Sequence, residues 1–255
     1  MLSPALKSFH DAVYVVTAES LTNRHENTVR ELGEKNFEFV YGIDKNQVTK
    51  EDLAGSGVYD EDLARRVDPK DRPMTLGHIC CAFGHRNVYE KMLASGAQTA
   101  LVFEDDVVDL GIPEREVEAA ISNIPTDWEL IYWGWSGGRY KPMLGSLQQL
   151  VFHIRYKLGT YKFNHRMISN SYMKPYNNYF DQSSVNFLLH SYSIRLSAAR
   201  TLIRINTPIN LNSDHAAIHA ILQGDIRAYV AKNQLFSQRS FDRLDPLESL
   251  TQKYY

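Results

Sequence analysis

The stretch Ala100-Leu101-Val102-Phe103-Glu104-Asp105-Asp106-Val107-Val108 constrains this chain more than any other. Four uncharged residues followed at once by three carboxylates read as a strand buried on both faces that delivers its charges at its C-terminal end. Open α/β sheets keep their ligands at that edge. Three adjacent anions repel one another and resist desolvation, so a fold that holds them at the mouth of a core strand calls for a cation. A hard divalent metal suits such oxygen donors. A solvated turn is the plainer alternative, but the immediate return to Val107-Val108, with no Gly, Pro or Asn between, argues against it.

The flanking segments predict an α/β sheet around that strand. Ala12–Thr17 is continuously apolar enough to be a first, central, buried strand. A helix follows with Leu21, Val29 and Leu32 on one face and Gly33 as its stop. Arg24, in its first turn, is within reach of a phosphate or a base at the strand end, the other reading being a solvated helix face. Residues 37–44 alternate as a second strand, and residues 45–72 read as a charged excursion with short helical pieces. Thr75 can cap a helix from Leu76 to Ser95, with Gly96 as its stop. His78, His85 and Arg86 interrupt the apolar first half of that helix and form a candidate polar site beside the acidic strand, or else ordinary satisfied boundary groups.

Further along, Pro113 starts a helix that Pro125 ends, and residues 128–135 read as a strand. That strand empties into Ser136-Gly137-Gly138; its tryptophans suit a sugar-stacking or lid loop, or the edge of an aromatic core. Residues 188–194 read as a strand, Ser197 as the cap of the next helix, 226–230 as a closing strand, and the tail after Gln238 as an irregular wrap. Asn212-Ser213-Asp214-His215 opens a helix that Gly224 stops, and Asp214 in its first turn stays ionised near the positive end of the helix dipole. Such a carboxylate can accept a proton from a hydroxyl; simple capping support is the alternative. His215 and His219 share a face at the spacing of paired zinc ligands, but the glutamate of the metalloprotease motif is missing between them.

With 255 residues, the chain fits one large α/β domain spanning 1–255. A net charge of −2 supplies no global basic field, which argues against a duplex nucleic-acid partner. The only cysteines, Cys80 and Cys81, are adjacent and poorly placed for a disulfide, which favours a reducing, cytoplasmic setting. The first residues lack the features of a secretory signal and no run of apolar residues is long enough to span a bilayer, so a soluble or peripheral protein is expected. Residues 139–182 break the charge balance: Arg139, Lys141, Arg155, Lys157, Lys162, Arg166 and Lys174 stand against Asp181 alone, among many tyrosines and asparagines. This basic, aromatic insertion is expected to offer a surface to an anionic partner such as a phosphorylated acceptor, a glycolipid head group or a membrane interface. Single-stranded nucleic acid, or an insertion with no special partner, would also account for it.

Several of these segments together resemble glycosyltransferase family 25, the lipopolysaccharide-type galactosyltransferases and their collagen-modifying relatives. Leu76 to Arg86 is similar to the family's G-E-x-G-C-x-x-S-H helix and Ala100 to Val107 to its A-L-V-L-E-D-D-V strand. His190 to Ile194 and Pro208 to Asp214 stand where the family has its T-x-A-Y-I-I strand and a later aspartate motif. His78 replaces the family's usual Glu, and Gly84 its Ser. The resemblance implies a GT-A fold, a Rossmann-like three-layer α/β/α domain with a mostly parallel central sheet. It implies Mn²⁺ or Mg²⁺ held by Asp106 with Glu104 against the diphosphate of a UDP-sugar, with Glu104 or Asp105 also available to the ribose. Thr17, Arg24, His85 and Arg86 fall on the donor side of that picture. A hexose, galactose or glucose favoured, would pass with inversion to a hydroxyl of a glycan, glycolipid or glycoprotein, and Asp214 would be the base. Two other readings remain at this level: a catalytically silent nucleotide- or glycan-binding module, and a metal-dependent phosphoryl-transfer enzyme, since strand-end carboxylates serve that chemistry too.

Overall fold

A computed structural model describes residues 1–68 and 70–239 of the chain. Helix α1 (Pro4–Ser8), capped by Ser3, leads into β1 (Ala12–Thr17), which is buried at every residue after the first. Helix α2 (Thr22–Leu32) ends at Gly33, whose φ of 84° suits a residue without a Cβ, and β2 (Glu38–Tyr41) follows. The charged excursion folds into α3 (Lys50–Gly55), started by a Thr49/Asp52 capping box, and α4 (Glu61–Val67), capped by Asp60. The long α5 (Leu76–Ser95) begins on Thr75, whose side chain accepts the His78 N–H, and stops at Gly96. Next come β3 (Thr99–Glu104), β4 (Val107–Asp109), α6 (Glu114–Ser122), β5 (Leu130–Tyr132) and β6 (Ser136–Gly137). The basic insertion supplies α7 (Gly145–Lys157), α8 (His165–Ser169), β7 (Lys174–Pro175) and β8 (Phe180–Gln182). The chain closes with β9 (Asn186–Phe187), β10 (Ser191–Arg195), α9 (Leu196–Ile205), α10 (Ser213–Gln223), β11 (Ala228–Ala231) and β12 (Phe236–Gln238).

The main sheet has eight strands in the order β2-β1-β3-β10-β5-β11-β8-β7. Strands β2, β1, β3, β5, β11 and β7 run one way, and β10 and β8 run against them, so the sheet is mostly parallel as expected. Alternation along β3 explains why its run reads as uniformly apolar. Ala100 and Val102 face a core shared with Val88 and Met92 of α5, Leu202 of α9 and Ile221 of α10. Leu101 and Phe103 face a second core with Leu6 of α1, Leu32 of α2 and Val117 of α6. A strand covered by helices on both faces needs apolar residues at every position. Gly84 sets the spacing of the first layer, because a Cβ there would lie 2.5 Å from Val16 Cγ1; α5 therefore seats directly on β1.

Three expectations change in the folded chain, and one alternative left open at Trp133 is settled. The acidic stretch is a strand only to Glu104; Asp105 and Asp106 form a turn, and Val107–Asp109 pairs with β12 outside the main sheet. Strand β1 lies second from the sheet edge, and the central positions go to β10 and β5. Trp133 is fully buried and donates from Nε1 to Ser193 Oγ at 2.6 Å, so it belongs to the aromatic core edge and not to a stacking loop. Ser197 does not cap α9: Arg195 occupies the cap position and the Ser197 hydroxyl bonds Glu129 at 2.8 Å. The tail expected after Gln238 falls, beyond Arg239, outside the described residues. Among the described residues no helix is long and apolar enough to cross a membrane.

Candidate active site

Where β3 ends, the three carboxylates separate into three environments. Asp105 turns inward and is 5% exposed. Its Oδ2 accepts the Thr17 hydroxyl at 2.6 Å and its Oδ1 accepts Arg24 Nη1 at 2.6 Å. Asn27 Nδ2 and Thr28 Oγ1 donate to its carbonyl at 3.2 and 3.3 Å, tying the acidic turn to α2. Burial pushes the Asp105 carboxyl up while Arg24 and Thr17 pull it down; beside a guanidinium that never loses its proton, Asp105 is the anion of the pair. Burial also opposes the charge on Arg24, but Asp105 and Asp106 outweigh it and hold the guanidinium above its ordinary range. With both oxygens engaged, Asp105 pins the turn in place.

Glu104 and Asp106, the latter 5% exposed like Asp105, line with it a cleft of about 600 Å³. Gln238 Nε2 bridges them, donating to Glu104 Oε2 at 2.8 Å and lying 3.3 Å from Asp106 Oδ1. Behind Glu104, His85 Nε2 lies 3.2 Å from Oε1, and its Nδ1 is 2.9 Å from the Tyr192 hydroxyl. Burial raises the Glu104 carboxyl, but the hydrogen bond and charge of His85, with the charges of His190 and Arg24, bring it below the usual range. Glu104 therefore presents a fixed negative charge to the cleft.

Asp214 faces the same cleft from the first turn of α10, positioned by the Asn212 side chain, which caps that helix by accepting the His215 N–H at 2.8 Å. Burial, and then the charge of Glu104, raise its carboxyl above the ordinary aspartate range, with the Leu188 N–H at 3.0 Å pulling the other way. Leu188 makes that bond at a φ of 75°, a left-handed backbone unusual for a branched side chain. The cleft thus carries one carboxylate held low and another pushed up, the arrangement by which two acids take different roles at one pH.

Among the residues singled out in the sequence, Thr17, Arg24, His78, Glu104, Asp105, Asp106, Asp214 and His215 line this cleft. His85 is 1% exposed and reaches it only through Glu104. Arg86 points elsewhere, over the Phe83 ring at 4.7 Å and toward Glu90 at 3.4 Å. The sequence reading passed over Gln238, Leu188 and the cations Lys45, Lys70 and Arg72, which also line the cleft. The charge density of residues 45–72 was the available signal for the last three; Gln238 and Leu188 carry none, since each acts through a partner remote in sequence.

Cys81, His85 and Glu104 also converge, with one ligand atom from each within 4.8 Å of the others. Burial keeps the Cys81 thiol far above its usual range. A second group that could hold a cation is the oxygen pair Glu104 and Asp106, gathered around one amide, whose hard donors suit an ion such as Mn²⁺ or Mg²⁺.

A family model described as glycosyltransferase family 25, LPS biosynthesis protein, matches residues 10–217. The chain belongs to glycosyltransferase family 25. A glycosyltransferase 25 family member of Aedes aegypti is 32% identical over 128 residues, covering 48% of this chain and 21% of that protein. Procollagen galactosyltransferase 1 of Danio rerio is 25% identical over 130 residues, with 49% and 21% covered. A human relative named as an inactive family member is 27% identical over 130 residues, with 49% and 22% covered. These matches take in about a fifth of each relative's length.

Proposed function

We propose that this chain transfers a hexosyl group, galactose or glucose, from a UDP-sugar to an acceptor hydroxyl with inversion, in a reaction that depends on a divalent cation. The observation that carries the reading is that Glu104, Asp106 and Asp214 line one cleft. Glu104 and Asp106 would hold the cation. When bound, the ion supplies a Lewis acid for the charge that develops on the leaving diphosphate. Lys45 and Lys70, which also line the cleft, add further positive charge for the same anion. Asp214 accepts the proton of the acceptor hydroxyl as its oxygen attacks the anomeric carbon. The bond from that carbon to the diphosphate oxygen breaks, and UDP leaves with the electron pair. A carboxyl raised by burial is the better base for that step. The collagen galactosyltransferases among the relatives favour galactose as the sugar.

The deciding experiment is calorimetric titration of UDP into the full chain with Mn²⁺ and then with EDTA, followed by a UDP-release assay over a panel of UDP-sugars. Cation-dependent binding with UDP released from one sugar supports transfer. Cation-dependent binding without turnover would mark a silent binding module, a reading that the inactive human relative keeps in view. Release of UMP in place of UDP would point to phosphoryl transfer.

The insertion suits a peripheral contact with an anionic membrane. Leu147, Leu150, Val151 and Ile154 follow an i, i+3, i+4, i+7 pattern along α7 and are 57, 54, 46 and 49% exposed. Arg155 and Lys157 flank this stripe, and residues 139–180 contain no acidic side chain. Two such faces would bring like charges together, whereas an acidic lipid surface would accept both the apolar stripe and the cations.

A further inference from the structure

A second cleft, of about 490 Å³, opens beside the first, and Phe187, His215, His78 and Asn212 line both. Helix α10 forms the boundary. Asp214 faces the first cleft, His215 borders both, and Ile218 and His219, further along the helix, line only the second. A molecule lodged in the second cleft therefore reaches toward Asp214 across the His215 and Phe187 rings, which meet edge to face at 6.0 Å.

The wall of this cleft selects by chemistry. Phe163, Met167, Phe187 and Ile218 give it an apolar surface with two aromatic rings. Two of its cations, Lys162 and Arg72, are already matched. Lys162 Nζ bonds the Asp71 carboxylate at 2.7 Å and the carbonyls of Arg66 and Asp68, and Arg72 pairs with Asp68 at 3.4 Å. Arg66 stands exposed at the rim. Burial lowers the imidazoles of His78, His215 and His219, so they meet a ligand as neutral groups. His219 Nδ1 is enclosed and has no hydrogen-bond partner among the described residues, which is a rare state for a buried polar atom. Aromatic faces beside neutral amides and imidazoles suit a pyranose ring, which has one apolar face and a rim of hydroxyls. They give a phosphate or carboxylate little to pair with.

We propose that the second cleft is the acceptor site and that it takes an uncharged pyranoside, passing one of its hydroxyls over Phe187 and His215 to Asp214. This rests on the transfer reading above. The test uses the full chain with UDP and Mn²⁺ present. Saturation-transfer NMR and competition titrations compare methyl β-galactopyranoside and octyl β-glucopyranoside with glucose 6-phosphate. The variants are Phe163→Ala and His219→Phe, both remote from the donor cleft, with thermal melts to establish that they fold. The neutral glycosides should bind more tightly than the phosphate, and each variant should weaken them by up to about tenfold, the scale of one ring contact or hydrogen bond, while UDP affinity stays unchanged. Tighter binding of glucose 6-phosphate, or glycoside binding indifferent to both variants, would overturn the proposal. Normal UDP binding with no glycoside binding would overturn it too and leave the donor reading standing. Variant-sensitive glycoside binding without any UDP binding would overturn the donor reading and, with it, the assignment of this cleft as an acceptor site, leaving only a glycoside-binding cleft.

Discussion

Asp214 accepts the backbone N–H of Leu188 at 3.0 Å, and Leu188 offers it from a left-handed conformation with φ of 75°. A leucine in that region costs about 1–2 kcal/mol relative to ordinary backbone, so the rest of the segment must hold it there. Glycine adopts the same φ freely but loses more conformational freedom on folding. Leu188→Gly should therefore leave the denaturant midpoint nearly unchanged while it loosens Asp214, lowering turnover with UDP affinity intact. A large loss of stability would show that Leu188 serves packing and not the position of the carboxylate.

Asp214→Asn should spare UDP binding and reduce transfer by at least about 10²-fold, as loss of a general base does. The pH profile carries the same information with a definite sign. The base works only when deprotonated, and burial together with Glu104 raises its carboxyl. Activity should fall as pH drops through an inflection above the usual aspartate range, and that limb should vanish from the residual activity of the Asn variant. A limb that persists would assign the base to another group.

Arg24→Ala would strand the Asp105 carboxylate, which is buried and paired at 2.6 Å. Removing one partner of a buried pair costs about 3–5 kcal/mol, so urea unfolding should show a loss of that order. Asp105→Asn should also destabilise, but by less, since Asn can keep a bond to Thr17 or Arg24. A stable Arg24→Ala protein that merely loses nucleotide affinity would make Arg24 a ligand-binding residue and not a strut.

Asp106→Asn and Glu104→Gln should each abolish the Mn²⁺-dependent part of UDP binding, whereas Gln238→Ala should leave it, because the amide only bridges the two carboxylates. Cation-dependent binding that survives in the Asp106 variant would remove Asp106 from the metal set.

Leu147→Ser combined with Ile154→Ser should reduce co-sedimentation with vesicles containing phosphatidylserine, and salt should reduce it further by screening Arg155 and Lys157. Neither substitution touches the core, since both side chains are half exposed, so thermal stability should hold. Equal binding to neutral and acidic vesicles would show that the charges contribute nothing.

The features legible in the sequence were those set by local pattern. Thr75 and Gly96 bracket α5 as cap and stop, and the apolar continuity of residues 12–17 marks β1 to the residue. The acidic cluster announced the functional edge, but not the division of labour within it. Asp105 became a strut because Thr17 and Arg24, 88 and 81 residues away, close on it. Gln238 meets Glu104 across 134 residues, a distance no periodicity can express. Arg86 looked equivalent to His85 in the sequence, yet one residue on a helix turns the side chain by about 100°, enough to send it to Phe83 and Glu90. Ser197 fits a cap by composition, and lost that role because Glu129 lies close enough to bind its hydroxyl.

Strand β10 runs against both of its neighbours, and that reversal has a consequence for how such a chain can diversify. Residues 133–173 leave the sheet after Tyr132; the chain re-enters it through β7 and β8 at the far edge and then at Ser191, which pairs with Phe103 just before the acidic turn. The helical part of the excursion, α7 and α8, can therefore be lengthened, shortened or exchanged without rethreading a strand of the main sheet. Thr17, Arg24 and Asn27, which bond the carboxylate turn to β1 and α2, all precede residue 110, and Arg239 closes the turn from the far end of the chain, donating its N–H to the Asp106 carbonyl at 2.9 Å and Nη1 to Asn27 at 2.8 Å. The chain is in effect a fixed frame with an exchangeable helical cassette, and grafting residues 145–169 from one family member to another is the simplest way to ask how freely the cassette moves.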